Sequence, residues 1–157
     1  MRYVFDSDSL INLFRHYYPR RFPTLWEQFD ALVSGGELIS VREVFNEIGS
    51  REDSLGTWAK EQKKILFLET TVEEFKFVAE IFQVRHFQAM IRKQERLKGK
   101  PVADPFVIAR AKILNACVVT EEKNTEKAAR IPNVCDHFNK IPCIKLEEFM
   151  EKENWTF

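Results

Sequence analysis

The sequence predicts an α/β fold, a three-layer α/β/α sandwich with a mostly parallel central sheet of about five strands. Short apolar runs alternate with helical patterns along the chain, and this alternation requires crossover connections between parallel strands. The 157 residues suit a single domain, predicted to span residues 1–157. With 45% hydrophobic and 31% charged residues, the chain can bury a core that needs no disulfide.

The first strand is predicted at residues 2–5, an apolar run that stops at Asp6. A helical pattern over residues 10–17 follows, so the period of the apolar residues changes as it does where a buried strand turns into a helix. Thr24 is predicted to cap a second helix, which the glycine pair at 35–36 ends.

The second and third strands are predicted at residues 37–40 and 65–68. Ser40 stands three residues before Glu43, which is the spacing of a capping box at a helix start. A further helix is predicted from Ser54, so a helical connection separates the two strands.

The last part of the chain is predicted to add strands at residues 116–119 and 143–146 and a short terminal helix. Thr71 and Glu74 have the spacing of a second capping box. They open a long helical region, which we expect to break near His86.

Carboxylates collect where the predicted strands end. The candidates are Asp6, Asp8, Glu43, Glu47, Asp104, Glu121 and Glu122. Ligands of parallel sheets bind outside the carboxyl ends of the strands, so these side chains are expected to converge. Clustered carboxylates repel one another, and a hard cation such as Mg²⁺ or Mn²⁺ offsets that repulsion. The sequence therefore predicts a divalent-metal site.

Each acidic residue also has a structural interpretation. Asp104, which precedes a proline, suits a helix N-cap, and Glu43 suits its capping box. Glu121 and Glu122 suit a solvated turn, and the sequence does not decide which of them belongs to the site. Asp6 is the hardest to explain structurally, because a carboxylate at the end of an apolar strand has little structural use.

Four segments resemble, in order, those of the PIN-domain nuclease family: YVFDSDSLINL, ISVREVFNEI, ADPFVIARA and VVTEEKN. The resemblance implies that the catalytic, metal-binding positions are Asp6, Glu47, Asp104 and Glu122. Ser7 or Thr120 would orient these carboxylates. The sequence departs from the family at Glu122, where Asp is usual, and Asp8 supplies an additional carboxylate that could compensate.

The resemblance also implies a function. We expect a divalent-metal-dependent endoribonuclease that hydrolyses RNA phosphodiesters with Mg²⁺ or Mn²⁺, as the toxin of a toxin–antitoxin pair does. The expected partners are an RNA substrate, an antitoxin protein and a second copy of the chain in a homodimer, with no membrane.

Two other functions stay open. Asp6-Ser7-Asp8 resembles the motif of haloacid-dehalogenase-like phosphohydrolases, in which the first Asp is the nucleophile. The other alternative is a non-catalytic PIN-like module that binds RNA or protein. Basic stretches at 16–21 and 92–100 are candidates for phosphate contacts under either nucleic-acid hypothesis.

Composition limits the remaining classes. The 24 basic and 24 acidic residues balance, so no global field attracts nucleic acid. The three cysteines are odd in number and widely spaced, which predicts reduced, buried thiols. We find neither a signal-peptide pattern nor an apolar stretch near the ~20 residues of a membrane helix, so a cytoplasmic location is expected.

Overall fold

The computed structural model describes residues 1–96 and 102–157, and its strands form one five-stranded, all-parallel sheet. The strands are β1 (Tyr3–Phe5), β2 (Leu38–Val41), β3 (Phe67–Leu68), β4 (Cys117–Val119) and β5 (Cys143–Ile144). Their order across the sheet is β3-β2-β1-β4-β5. The predicted α/β/α sandwich with a parallel sheet is thereby confirmed.

Helices connect the strands throughout. Those within the described residues are α1 (Ser7–His16), α2 (Pro23–Ser34), α3 (Arg42–Ile48), α4 (Ser54–Leu66), α5 (Val72–Gln83), α6 (Ala89–Arg96), α7 (Asp104–Leu114), α8 (Ile131–His137) and α9 (Leu146–Lys152). A 3₁₀ helix at Arg85–Gln88 lies between α5 and α6, so the predicted break near His86 is confirmed. No helix of the described ranges is long and apolar enough to cross a membrane.

The helices cover both faces of the sheet. On one face α1 to α4 pack together, and on the other α7 packs against α5 and α8. Tyr3 and Phe5 point to the same face because side chains alternate along a strand. Both contact Phe149 of α9, with ring centroids 4.8 and 5.1 Å apart, and Phe5 also contacts Phe29 of α2. α9 therefore joins the layer that contains α2.

One predicted capping box is present and the other is not. Thr71 accepts a hydrogen bond from the Glu74 backbone at 3.2 Å, and the Glu74 carboxylate accepts one from the Thr71 backbone at 2.9 Å. Ser40 instead lies inside β2 and donates to the Phe5 carbonyl at 2.7 Å, so the predicted Ser40–Glu43 box is wrong. The Glu43 carboxylate is buried and accepts a hydrogen bond from Thr70 at 3.0 Å.

Some predicted boundaries shift. α2 begins at Pro23, whose fixed φ suits the first helical position, so Phe22 and not Thr24 is the N-cap. Helix α4 continues to Leu66, which shortens the predicted third strand to Phe67–Leu68. The glycine pair ends α2 as predicted, and Gly36 has the positive φ of 73° that favours glycine there.

Arg110 of α7 joins the carboxyl ends of two strands to α5. Its side chain is 4% exposed and forms a bidentate ion pair with Glu74, at 2.8 and 2.9 Å. The same guanidinium donates to the carbonyls of Ser40, Leu68 and Glu69. The buried charge is thus paired and hydrogen-bonded, as burial of a charge requires.

The cysteines are free thiols, as predicted. Cys117 and Cys135 are buried, and Cys143 is partly exposed. Burial raises the pKa of Cys117 to about 11. A thiol that stays protonated is a poor nucleophile, so Cys117 is a core residue.

Candidate metal centre

The acidic residues meet at the switch point of the sheet. From the central strand β1 the chain moves first to β2 on one side and only later to β4 on the other. The crevice where strand order reverses is the usual ligand site of open parallel sheets. Phe5 pairs with Val119, so Asp6 and Thr120, the next residue of each chain segment, are neighbours at that crevice.

Three carboxylates form a compact group there. Asp6, Asp8 and Glu122 each offer one oxygen, and these oxygens all lie within 4.8 Å of one another. Oxygens on opposite sides of an octahedral Mg²⁺ are about 4.2 Å apart, since each ligand lies at about 2.1 Å. Asp8 is exposed and Glu122 partly exposed, so small side-chain adjustments suffice for the group to hold a cation. An all-oxygen donor set also matches the preference of Mg²⁺ and Mn²⁺.

Asp6 is the fixed member of the group. It is 2% exposed and serves as the N-cap of α1, where the Ser9 backbone N–H donates to Oδ1 at 2.8 Å. The Thr120 hydroxyl donates to Oδ2 at 2.5 Å. Because each oxygen accepts a hydrogen bond, the carboxylate plane is held in one orientation.

The environment of Asp6 favours its protonated form when no cation is bound. Burial raises the pKa of Asp6 to about 7, against the opposing effect of the hydrogen bonds from Thr120 and Ser9. The negative charge of Asp104 raises this pKa further. A nearby cation would favour the ionised form, and such a perturbed carboxyl group in a crevice is typical of functional sites.

Asp104 and Glu47 border the group. Asp104 is buried and is the first residue of α7, whose N-cap is Ala103 without a side-chain hydrogen bond. The N-cap interpretation of Asp104 is therefore wrong, because Asp104 already lies inside the helix as its first residue. Glu47 accepts a hydrogen bond from the Ser7 hydroxyl, and the Ala103 backbone N–H lies 3.5 Å from its other oxygen. Its carboxylate thus contacts the residues adjacent in sequence to Asp6 and Asp104.

The structure brings the predicted residues together to different degrees. Asp6 and Glu122 form the 4.8 Å group with Asp8, whereas Glu47 and Asp104 are not part of it. The metal role of the predicted set of four stays a prediction. The two hydroxyls that the sequence suggested, those of Ser7 and Thr120, do contact carboxylates.

The structure also separates the two glutamates that follow β4. Oε1 of Glu121 accepts a hydrogen bond from the Leu146 backbone N–H at 2.8 Å, at the start of α9. Glu122 belongs to the acidic group, and its backbone N–H donates to the Thr120 hydroxyl at 3.1 Å. Glu122 is therefore the better candidate for the fourth acidic position.

A cavity of about 770 Å³ opens beside the acidic group. Its lining combines carboxylates, two cations and apolar side chains: Asp8, Ala89, Met90, Asp104, Glu121, Glu122, Lys123, Ala128, Ala129 and Arg130. The sequence did not single out Lys123 or Arg130, because neither lies in a basic run. The one available signal was the position of Lys123 directly after the acidic pair.

The basic stretches that the sequence suggested lie elsewhere or cannot be placed. Arg21, in the stretch 16–21, lines a separate depression with Thr156 and Phe157. The stretch 92–100 falls largely outside the residues whose side chains the structure describes.

Fold and site define an α/β protein with an acidic crevice at the switch point of a parallel sheet. The chain belongs to the family described as domain of unknown function DUF4411, whose profile matches residues 3–157. The match includes every strand and every residue of the acidic crevice. A search of curated proteins found no significant match.

Proposed function

We propose that the protein is a divalent-metal-dependent endoribonuclease that hydrolyses RNA phosphodiesters. The observation that carries the proposal is the 4.8 Å group of Asp6, Asp8 and Glu122, which lies at the switch point with Asp6 buried and oriented. Three carboxylates so close together are costly without a cation. The resemblance of the four acidic segments to PIN domains supplies the reaction class.

Asp6, Asp8 and Glu122 would hold Mg²⁺ or Mn²⁺, with Asp104 beside them in the same cavity. A divalent cation bound there supplies Lewis-acid polarisation of a phosphodiester and lowers the pKa of water, so that no histidine base is needed. Thr120 and Ser9 orient Asp6, and Ser7 orients Glu47. These contacts would hold Asp6 and Glu47 in fixed orientations before substrate binds.

The geometry favours this function over a phosphohydrolase that uses Asp6 as nucleophile. A nucleophilic carboxylate must present an oxygen to a whole phosphate group, whereas a metal ligand needs only to reach a small ion with its second lone pair. Asp6 is 2% exposed and both of its oxygens accept hydrogen bonds, which suits the smaller partner. Its position at the carboxyl end of β1 suits a residue that binds a cation. An antitoxin protein and a homodimeric partner remain parts of the proposal that follow from the resemblance alone.

The test offers the purified protein a pool of single-stranded RNA and, separately, a small phosphomonoester, both with Mn²⁺. We expect RNA cleavage that EDTA abolishes and that Asp6→Asn or Asp104→Asn reduces by at least about a hundred-fold. Glu61→Gln, a change to an exposed carboxylate of α4, is the control and should cleave like the wild type.

Two results would contradict the proposal. Turnover of the phosphomonoester with phosphate trapped on Asp6 would identify a phosphohydrolase. RNA binding without cleavage in Mg²⁺ and Mn²⁺, in protein freed from any co-purified partner, would identify a non-catalytic module.

A further inference from the structure

The lining of the 770 Å³ cavity combines opposite charges with apolar side chains. Its negative charges are those of Asp8, Asp104, Glu121 and Glu122. Lys123 and Arg130 lie on the segment that follows Glu122, and both side chains are exposed. The rest of the lining is apolar, with Ala89 and Met90 from α6 and the alanine pair at 128–129.

The segment that carries both cations is held in place at several points. Asn133 of α8 donates to the Asn124 side chain at 3.2 Å and to the Thr125 carbonyl at 2.8 Å. The Asn124 amide donates to the Asp136 carboxylate at 2.9 Å. Such side-chain bonds fix the backbone of a loop that lacks regular secondary structure, so the backbone from which Lys123 and Arg130 project is held in place.

A contact with the 3₁₀ helix fixes the other end of this segment. Nε2 of His86, in the 3₁₀ helix before α6, lies 3.1 Å from the Ala128 carbonyl. The segment is thus attached to the part of the chain that supplies Ala89 and Met90. The apolar and cationic parts of the lining therefore belong to one connected surface.

Both cations are available for a ligand. Across residues 1–96 and 102–157, no ion pair occupies Lys123 or Arg130, whereas Arg42, Arg51 and Arg110 are each paired with carboxylates. A cavity lined by four carboxylates attracts a polyanion only where positive charge stands beside them. Since the whole chain has a net charge of zero, that attraction has to be local.

We infer that Lys123 and Arg130 form a phosphate-binding wall, which holds backbone phosphates of a single polynucleotide strand beside the acidic group. The inference rests on the proposed function for the identity of the strand as RNA. A volume of about 770 Å³ lies within the range of small-molecule pockets and exceeds what one phosphate needs. The apolar part of the lining offers a contact surface for the sugar and base of a nucleotide.

The test measures binding separately from cleavage. A fluorescein-labelled, single-stranded RNA of twelve nucleotides is titrated with the full chain in Mn²⁺, in an Asp104→Asn background that does not cleave. The double variant Lys123→Gln with Arg130→Gln is compared with Lys60→Gln with Lys64→Gln, which removes the same charge from exposed positions of α4. Kd is recorded by fluorescence anisotropy over a range of salt concentrations.

We expect the cavity double variant to bind on the order of ten-fold more weakly than the α4 double variant. Its slope of log K against log salt should be shallower by about 1.4, since each phosphate contact of a single strand contributes about 0.7. Equal affinities and equal slopes for the two double variants would overturn the inference.

The two proposals can fail separately. If the cavity variant loses binding but the wild-type protein cleaves no RNA, the phosphate wall stands and the nuclease proposal falls. If the wild-type protein cleaves RNA and the cavity variant cleaves it with unchanged KM, the phosphate wall is wrong while the nuclease proposal stands.

Discussion

Among single residues, Thr120 connects two members of the acidic group, through the side chain of Asp6 and the backbone of Glu122. Its hydroxyl donates to Asp6 at 2.5 Å and accepts a hydrogen bond from the Glu122 backbone at 3.1 Å. The residue is buried directly after β4, so it cannot turn away from the site. One hydroxyl thus sets both the orientation of Asp6 and the path of the chain at Glu122.

Thr120→Val should weaken Mn²⁺ binding, whereas Thr120→Ser, which keeps the hydroxyl, should bind like the wild type. The hydrogen bond from Thr120 lowers the pKa of Asp6, so its loss would raise that pKa from about 7 and let protons compete better with the cation. The lost hydrogen bond should also cost about 1–3 kcal/mol of stability. Calorimetric titration with Mn²⁺ at pH 7 measures the affinity. A Val variant with wild-type affinity would show that Thr120 is only structural.

Glu121 and Glu122 give a matched pair of substitutions. Glu122→Gln should remove most of the Mn²⁺-induced rise in melting temperature, because it removes a charge of the acidic group. Glu121→Ala should leave that rise intact and lower the metal-free stability by about 1 kcal/mol, because its carboxylate caps the start of α9. Thermal unfolding with and without Mn²⁺ measures both effects. If Glu121→Ala instead removed the Mn²⁺-induced rise and Glu122→Gln left it intact, Glu121 would be the metal ligand.

The sequence could point to both glutamates but not choose between them. Their places after an apolar strand are visible locally. The choice depends on where the N–H of Leu146 lies, and that residue is 25 positions away. Asp8 illustrates the same limit: sequence marked it as an extra carboxylate, and only the turn into α1 brings it within 4.8 Å of Asp6 and Glu122.

Among elements, α7 has a double role. It begins with Asp104 in the cavity, and one side of it carries Arg110, which is buried. The Arg110 guanidinium donates hydrogen bonds to the carbonyls of Ser40 and Leu68, near the carboxyl ends of β2 and β3, and to the carboxylate of Glu74. The helix that supplies Asp104 is thereby fixed to the carboxyl edge of the sheet.

Arg110→Met should destabilise the protein by about 3–5 kcal/mol, because it leaves Glu74 as an uncompensated buried charge. Burial alone would raise the pKa of Glu74, but the hydrogen bonds and charge of Arg110 and the contacts of Thr71 hold it below its usual range. The double change with Glu74→Leu should therefore recover part of the loss. Urea unfolding of the single and double variants measures it, and additive losses would contradict this account.

Among helix caps, residue spacing predicted the hydrogen bond correctly where both partners lie in the same helical turn. The capping box at Thr71 closes on Glu74 within one turn, so spacing alone predicted it. Ser40 has the same spacing to Glu43, yet its hydroxyl binds the Phe5 carbonyl of the neighbouring strand. A pattern of spacing does not contain that tertiary partner. Helix α8 was not predicted, since its apolar residues span too short a stretch to establish a period.

For the whole molecule, the buried carboxylate of Asp6 makes stability depend on pH and on a bound cation. The pKa of Asp6 is about 7 in the folded protein, against about 3.9 in an unfolded chain. Between these values the folded state binds more protons than the unfolded state. The contribution of Asp6 to stability is therefore fully present below about pH 4 and is lost as the pH rises to about 7.

Asp6→Asn should raise the metal-free melting temperature at pH 8, where the wild type has to bury a charged carboxylate. The corresponding gain in the free energy of unfolding should amount to a few kcal/mol at pH 8 and should be smaller at pH 5. The same variant should lose the stabilisation by Mn²⁺ that the wild type shows at pH 8. Scanning calorimetry at both pH values, with EDTA or Mn²⁺, measures these effects. Lower metal-free stability at pH 8 with an unchanged Mn²⁺ response would make Asp6 a structural residue.

The most direct measurement is anomalous X-ray scattering from crystals grown with Mn²⁺ at a pH above 7. The account predicts a manganese peak at the carboxyl ends of β1 and β4, with oxygens of Asp6, Asp8 and Glu122 within about 2.5 Å of it. Asp6→Asn crystals grown in the same way should show a weaker peak or none. The claim that this acidic group binds a divalent cation would be contradicted by either of two results. One is the absence of a peak at this crevice in saturating Mn²⁺, and the other is a peak that persists unchanged in Asp6→Asn.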